Sequence, residues 1–130
     1  MHVPRIRILV VDQNSLLREG LSLLIQLHSD MELVEAVASA EEGVRLFEQY
    51  HPDVTLMDLD LPQTAGITAI QKILEIDPSA CVLGASTYEE DESVAHALRA
   101  GARNNITKDR LNRDLISLLR NCARPAVRNQ

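Results

Sequence analysis

The sequence contains few aromatic residues: one Phe, two Tyr and no Trp, or 2% of a chain of 130 residues. Hydrophobic residues nevertheless make up 45% of the chain, so a core of ordinary size can form from aliphatic side chains. No apolar run approaches the roughly 20 residues that a membrane-spanning helix requires. The length and composition therefore fit one aliphatic domain.

Positive charge is also sparse. The chain has 13 Lys and Arg against 19 Asp and Glu, which gives a formal net charge of −6, and the basic residues are spread along it. Without a basic stripe, this segment is not expected to bind nucleic acid directly. The N-terminus lacks the hydrophobic stretch and cleavage site of a signal peptide, so we expect a cytoplasmic protein with no membrane partner.

Cysteine is limited to Cys81 and Cys122, whose spacing matches no metal site. Cys81 lies in an apolar run that is typical of a core strand, and Cys122 ends a predicted helix. In a cytoplasmic protein we expect both to be reduced thiols.

Short apolar runs alternate along the chain with longer amphipathic stretches. The runs predict strands at 5–11, 32–38, 54–57, 80–85 and 104–107. The amphipathic stretches predict helices at 14–28, 39–51, 67–76, 89–100 and 110–122. Because the strands are continuously apolar, they fit a parallel sheet covered on both faces. We therefore predict an α/β, doubly wound domain over residues 1–122, followed by a tail or the start of a linker at 123–130.

Four polar residues follow the predicted strands: Asp12, Asp58, Ser86 and Lys108. In a doubly wound sheet the carboxyl ends of the strands meet at one edge. Two carboxylates there can hold Mg²⁺. Lys108 and Ser86 can bind phosphoryl oxygens, and Asp58 can act as a nucleophile that forms an acyl phosphate. Taken singly, these residues are more typical of caps, turns and solvated side chains, and only their joint placement favours phosphoryl chemistry.

The motifs around these residues resemble the receiver domain of two-component response regulators. They are V-V-D at 10–12, D-x-x-x-P at 58–62 with Gly66, then Ser86, A-G-A at 100–102 and T-K-D at 107–109. The resemblance covers Ile6 to about Cys122. The string L-L-R-E-G-L at 16–21 and the ending K-D, rather than K-P, are similar to the NarL/LuxR-type subfamily. There the receiver usually precedes a helix-turn-helix DNA-binding domain. Such a domain is absent from this sequence, so we expect either part of a longer protein or a single-domain receiver.

The resemblance implies a flavodoxin-like (βα)5 fold with strand order 2-1-3-4-5. It implies a signalling protein rather than an enzyme, in which Asp58 accepts a phosphoryl group from a sensor histidine kinase and transcription is regulated through the absent domain. Asp12 and Asp58 would help to hold Mg²⁺, with the backbone carbonyl of Asp60 as a further ligand. Ser86 and Lys108 would bind the phosphoryl group.

The sequence departs from the family pattern at three positions. The family normally has two adjacent acids after the first strand, whereas Gln13 follows Asp12 here. An amide oxygen can still ligate Mg²⁺ but carries no charge, so we expect weak metal binding. Asn105 stands where the family has a switch aromatic on the fifth strand, and it cannot report the switch through the same packing. Asp60 adds a carboxylate, which either restores charge lost at Gln13 or repels the phosphodonor.

Two alternatives to a phosphorylated receiver follow from the sequence. Gln13 and Asn105 are also typical of a pseudo-receiver, an interaction domain that acts without phosphorylation. The string L-M-D-L-D-L at 56–61 resembles the nucleophile motif of haloacid-dehalogenase-type phosphatases, in which Asp58 would be the nucleophile and Asp60 the acid/base. Those enzymes carry the motif near the N-terminus of a longer chain, with a late acidic pair, and this sequence has neither feature.

Leucines exceed what one buried face of the first and last predicted helices requires. They are Leu16, Leu23 and Leu27 in the first helix and Leu111, Leu115, Leu118 and Leu119 in the last. Core packing explains most of them. The resemblance to NarL/LuxR-type receivers implies that the remainder form a homodimer contact between these helices. We therefore expect a homodimer through the first and last helices.

Overall fold

The computed structural model describes the backbone of residues 4–128 and the side chains of residues 4–123. Its strands are β1 (Ile6–Val11), β2 (Met31–Val37), β3 (Val54–Asp58), β4 (Cys81–Ser86) and β5 (Asn104–Thr107). Its helices are α1 (Ser15–Gln26), α2 (Ala40–Tyr50), α3 (Ala65–Ile76), α4 (Glu92–Ala100) and α5 (Leu111–Arg128), and short 3₁₀ turns cover Pro62–Thr64 and Lys108–Arg110.

The five strands form one parallel sheet in the order β2-β1-β3-β4-β5, as predicted. Successive strand residues point to opposite faces, so Leu9 and Met57 pack with α2, α3 and α4, while Val10 and Leu56 pack with α1 and α5. Both layers are mainly aliphatic, and the aromatic residue of the layer that contains Leu9 and Met57 is Phe47 of α2. Burial on both faces explains why the strands read as continuous apolar runs.

Local capping signals place several helix starts where the sequence predicts them. The Asn14 side chain accepts hydrogen bonds from the amides of Leu16 and Leu17, and Ser39 accepts one from the amide of Glu42. Gly101 ends α4 with φ of 116°, in the left-handed region that glycine adopts without strain.

Two helix boundaries differ from the prediction by three residues or more. Helix α4 begins at Glu92 rather than at 89, because the side chain of Asp91 accepts a hydrogen bond from the Ser93 amide and caps the helix there. Helix α5 does not end at Cys122 but continues to Arg128. Ala123 is buried against the core, so apolar contact continues past the predicted end.

The expectation of two reduced thiols is wrong for this structure, in which Cys81 and Cys122 form a disulfide with their Cα atoms 6.2 Å apart. Cys81 opens β4, and Cys122 lies on the face of α5 that covers the same side of the sheet. A sequence separation of 41 residues hid this proximity, because only the packing of α5 on the sheet creates it. Among residues 4–128, no helix is long and apolar enough to cross a membrane.

Candidate functional site

The carboxyl ends of β1, β3 and β4 bring the predicted polar residues to one edge of the sheet. In the sheet register, Met57 pairs with Val11 and Asp58 pairs with Ala85. Asp12 follows Val11 on one neighbouring strand and Ser86 follows Ala85 on the other, so the two residues flank Asp58. Asp12, Asp58 and Ser86 are buried, at 3%, 0% and 0% exposure. The sheet order, with β1 and β4 on either side of β3, therefore creates the juxtaposition that the sequence predicts.

Lys108 is the cation of this cluster. It follows β5 directly, and its Nζ lies 3.2 Å from Asp12 Oδ2, 2.9 Å from Asp58 Oδ1 and 3.2 Å from Asp60 Oδ2. One ammonium group thus contacts three carboxylates, and it holds together the loops that follow β1, β3 and β5.

Asp58 is held rigidly by its neighbours. Its Oδ1 accepts hydrogen bonds from the backbone amide of Asp60 at 2.8 Å and from Lys108 Nζ. Among the described residues, its Oδ2 accepts only a longer bond of 3.3 Å, from the backbone amide of Gln13. Gly66 at the start of α3 packs against the Asp58 carbonyl, where any Cβ would overlap that oxygen. The carboxylate is therefore fixed in direction, with Oδ2 the less strongly held oxygen.

Burial and charge act in opposite directions on the ionisation of this cluster. Burial raises the pKa of Asp12, the charge of Asp58 raises it further, and the hydrogen bond from the Asn14 amide and the charge of Lys108 only partly offset these effects. Burial alone would lower the pKa of Lys108, but its hydrogen bond to Asp58 and the charges of Asp58 and Asp12 outweigh burial and raise that pKa. Lys108 is therefore a permanent cation, whereas ionisation of Asp12 in the folded chain costs stability.

The oxygen atoms available to a metal ion are the carboxylates of Asp12 and Asp58 and the carbonyl of Asp60, with the amide of Gln13 beside them. Gln13 Nε2 donates a hydrogen bond of 3.3 Å to the Asp60 carbonyl oxygen. Within the described part of the chain, no group of three or more His, Cys, Asp or Glu side chains is arranged to hold a metal. Two buried carboxylates and a carbonyl are nevertheless hard oxygen donors that fit Mg²⁺ in chemistry and charge.

Ser86 and Asn105 form a separate polar pair beside the carboxylates. Ser86 Oγ donates to the Tyr88 carbonyl at 3.0 Å and accepts from Asn105 Nδ2 at 3.1 Å. Among the described residues, Asn105 Oδ1 is buried without a hydrogen-bond partner. Gly84 makes room for it, because a Cβ there would lie 2.9 Å from that oxygen. Asn105 therefore reaches Ser86 directly, by a hydrogen bond that sequence reasoning did not predict.

Thr87 is the site residue that the sequence did not reveal. Its backbone amide and its hydroxyl both donate to Asp60 Oδ2, at 3.0 Å and 2.6 Å. Asp60 thus connects the loop after β3 to the loop after β4 by its side chain, in addition to presenting its carbonyl to Gln13. A threonine after Ser86 carries no distinctive pattern, and only the folding of the two loops brings it to Asp60.

Comparison with known proteins gives one family for nearly the whole chain. The matching family model is described as the response regulator receiver domain and spans residues 8–120. The chain is 34% identical over 115 residues to the oxygen regulatory protein NreC of Staphylococcus carnosus (strain TM300), which covers 88% of this chain and 53% of NreC. It spans about half the length of the curated relatives it matches.

Solved structures agree with this assignment. A two-component response regulator of the LuxR family from Aurantimonas sp. SI85-9A1 superposes with a TM-score of 0.78 at 30% identity, covering 90% of this chain and 86% of that one. A CheY-like receiver domain protein from Methanospirillum hungatei JF-1 superposes with a TM-score of 0.87 over 98% of this chain and 100% of its own. At 23% identity, the second structure supports the fold alone.

Proposed function

This chain belongs to the response regulator receiver domain family and is of the NarL/LuxR type, and from that membership we propose that Asp58 accepts a phosphoryl group from a sensor histidine kinase. The observation that carries the proposal is the contact of 2.9 Å between Lys108 Nζ and Asp58 Oδ1 at the end of β3. A buried carboxylate fixed beside a permanent cation can attack phosphorus while the cation stabilises the charge on the phosphoryl oxygens.

In the proposed transfer, an oxygen of Asp58 forms a bond to phosphorus as the bond from phosphorus to the imidazole nitrogen of the donor breaks. That nitrogen keeps the electron pair, and the product is an acyl phosphate. The Asp60 amide holds the Asp58 carboxylate in direction throughout. To bind the phosphoryl group, Ser86 must turn its hydroxyl away from the Tyr88 carbonyl, to which it donates in this structure.

We propose that Mg²⁺ is the cofactor of this site, held by Asp12, Asp58 and the Asp60 carbonyl. The Gln13 amide oxygen can join them if its amide group turns away from that carbonyl. When bound, the ion supplies positive charge to the phosphoryl oxygens. Binding is weak because Gln13 contributes no negative charge.

The output of the domain is proposed from its relatives. NreC is named as a regulatory protein, and this chain matches about half of it. We propose that residues 1–122 act as the receiver of a cytoplasmic transcription regulator. Residues 123–130 would lead towards a DNA-binding domain that lies outside this sequence.

We also propose that the receiver forms a homodimer, principally through α1. Leu16, Leu23 and Leu27 lie on one face of α1 and the turn that follows it, at 76%, 66% and 78% exposure. In α5, by contrast, Leu111, Leu115 and Leu119 are buried, and Leu118 packs partly against the same core. Among the side chains that the structure describes, the apolar surface available for a self-complementary contact is therefore on the first helix rather than on residues 111–123 of the last.

Incubation with acetyl phosphate and Mg²⁺ followed by intact-mass measurement tests the phosphoryl-acceptor proposal. One added phosphoryl mass is expected in the native chain and none in Asp58→Asn, while Glu48→Gln, at an exposed carboxylate near the end of α2, should be modified like the native chain. If the native chain gains no mass, or Asp58→Asn gains the same mass, the acceptor proposal fails. A domain that stays unmodified yet dimerises would then be a pseudo-receiver. The hydrogen bond from Asn105 to Ser86 supports that alternative, because it occupies the hydroxyl that would bind the phosphoryl group.

A further inference from the structure

The side chain of Asp60 occupies a ready-made anion site beside Asp58. A single oxygen, Asp60 Oδ2, accepts from the Thr87 amide at 3.0 Å and the Thr87 hydroxyl at 2.6 Å, and it lies 3.2 Å from Lys108 Nζ. A hydroxyl, an amide and an ammonium that converge on one point form a typical cradle for an anionic oxygen. We define Lys108 and Thr87 as the anion cradle.

The cradle lies where a phosphoryl group on Asp58 would need partners. The same Lys108 ammonium that contacts Asp60 Oδ2 also contacts Asp58 Oδ1, so its donors face both carboxylates at once. A phosphoryl group on Asp58 would carry anionic oxygens into the space served by that ammonium. The group and the Asp60 carboxylate would therefore compete for the Lys108 ammonium.

Asp60 is the most exposed of the three carboxylates that contact Lys108. Its side chain is 24% exposed, whereas those of Asp12 and Asp58 are 4% and 0% exposed. A rotation about its side-chain bonds would carry the Asp60 carboxylate into solvent, while its backbone amide and carbonyl stay in place. Departure from the cradle therefore does not require the loop after β3 to unfold.

We propose that Asp60 acts as an internal competitor that occupies the anion cradle until a phosphoryl group displaces it. This inference rests on the proposed phosphoryl-acceptor function and names a control on that site. Occupancy by Asp60 lowers the affinity of the site for phosphoryl oxygens. It also ties Thr87, the first residue after β4, to the loop after β3. Displacement of Asp60 by a phosphoryl group frees Thr87 from that tie, which links the state of Asp58 to the segment before α4.

Binding of inorganic phosphate, without covalent transfer, tests the proposal. NMR titration would follow the Thr87 backbone amide in the native chain, in Asp60→Ala and in Asp60→Asn. Asp60→Ala should bind phosphate about tenfold more tightly than the native chain, because a competing unit charge has left the cradle. Asp60→Asn should lie between them, because its neutral oxygen still accepts from Thr87. Glu48→Ala lowers the net negative charge equally, far from the cradle, and should bind like the native chain.

The proposal is overturned if both Asp60 variants bind phosphate no more tightly than the native chain, or if Glu48→Ala shows the same gain. Thermal unfolding of each variant confirms that the compared chains are folded. The acetyl phosphate experiment distinguishes the two proposals. Absence of added mass in the native chain and in both Asp60 variants refutes the acceptor function, and with it displacement of Asp60 by a phosphoryl group on Asp58. Tighter phosphate binding by Asp60→Ala would then show only that Asp60 competes with free phosphate for the cradle.

Discussion

At the scale of single residues, the cluster at the sheet edge stores destabilising charge. Asp12 is buried and lies in the field of Asp58, so its pKa is raised above that of an ordinary carboxyl. A carboxylate with a raised pKa in the folded state lowers stability once it is ionised. Such an arrangement is typical of functional sites, where a bound cation restores the stability that the buried carboxylates cost.

We expect Asp12→Asn to raise the free energy of unfolding at pH 7 by about 1 kcal/mol, because it removes a buried like charge. The sign depends on pH. Below the pKa of Asp12 in the unfolded chain, Asp12 is protonated in both the folded and the unfolded chain, and the gain in the free energy of unfolding is absent. The gain grows as pH rises above that value and through the raised pKa of the folded state. Urea denaturation at several pH values without Mg²⁺ measures it. A loss of stability at pH 7 would contradict the prediction, and Glu48→Gln should show neither effect.

The sequence predicts some residues of the site at the sheet edge and not others. Asp12, Asp58 and Lys108 were predictable, because each follows a strand that reads clearly in the sequence. Thr87 was missed and the contact of Asn105 was not foreseen, because both depend on loop geometry. The sequence places Asn105 where the family has an aromatic residue, but only the fold shows that its side-chain amide reaches Ser86.

At the scale of helices and strands, local chemistry decided most boundaries. Asn14 and Ser39 cap their helices as predicted, because a side-chain oxygen next to an amphipathic run has few other uses. The start of α4 was mispredicted, because the acidic run at 89–92 resembles a first helical turn although Asp91 is the cap. A run of similar residues does not by itself reveal which of them ends the extended backbone.

The contact of β4 with the end of α5 yields a prediction about redox state. Under oxidising conditions the Cys81–Cys122 disulfide should stabilise the fold by up to about 4 kcal/mol, the value expected from closing a loop of 41 residues. Urea denaturation with and without a thiol reductant measures this. Cys122→Ala is the control, since its stability should not respond to reductant. If the native chain is equally insensitive, the pair does not form a stabilising bond in solution.

At the scale of the whole molecule, the exposed face of α1 predicts association. Leu23→Glu places a charge in the middle of the exposed leucines and should raise the dimer dissociation constant by at least about 100-fold, as for a central contact residue. Sedimentation over a range of concentrations measures this constant. Leu98→Glu, at an exposed leucine of α4, is the matched control and should leave it unchanged. A native chain that remains monomeric at high concentration would contradict the prediction.

The sequence by itself determined the alternation of strands and helices, the aliphatic core and the residues at the strand ends, because periodicity and caps are local properties. Even the strand order was predictable, although only through resemblance to a family. The tertiary structure decided which distant groups meet. These are the disulfide between β4 and α5, the hydrogen bond from Asn105 to Ser86, and the contacts of the Asp60 carboxylate with Lys108 and Thr87. These contacts join loops and elements far apart in the chain, and their geometry depends on the packing of the whole sheet.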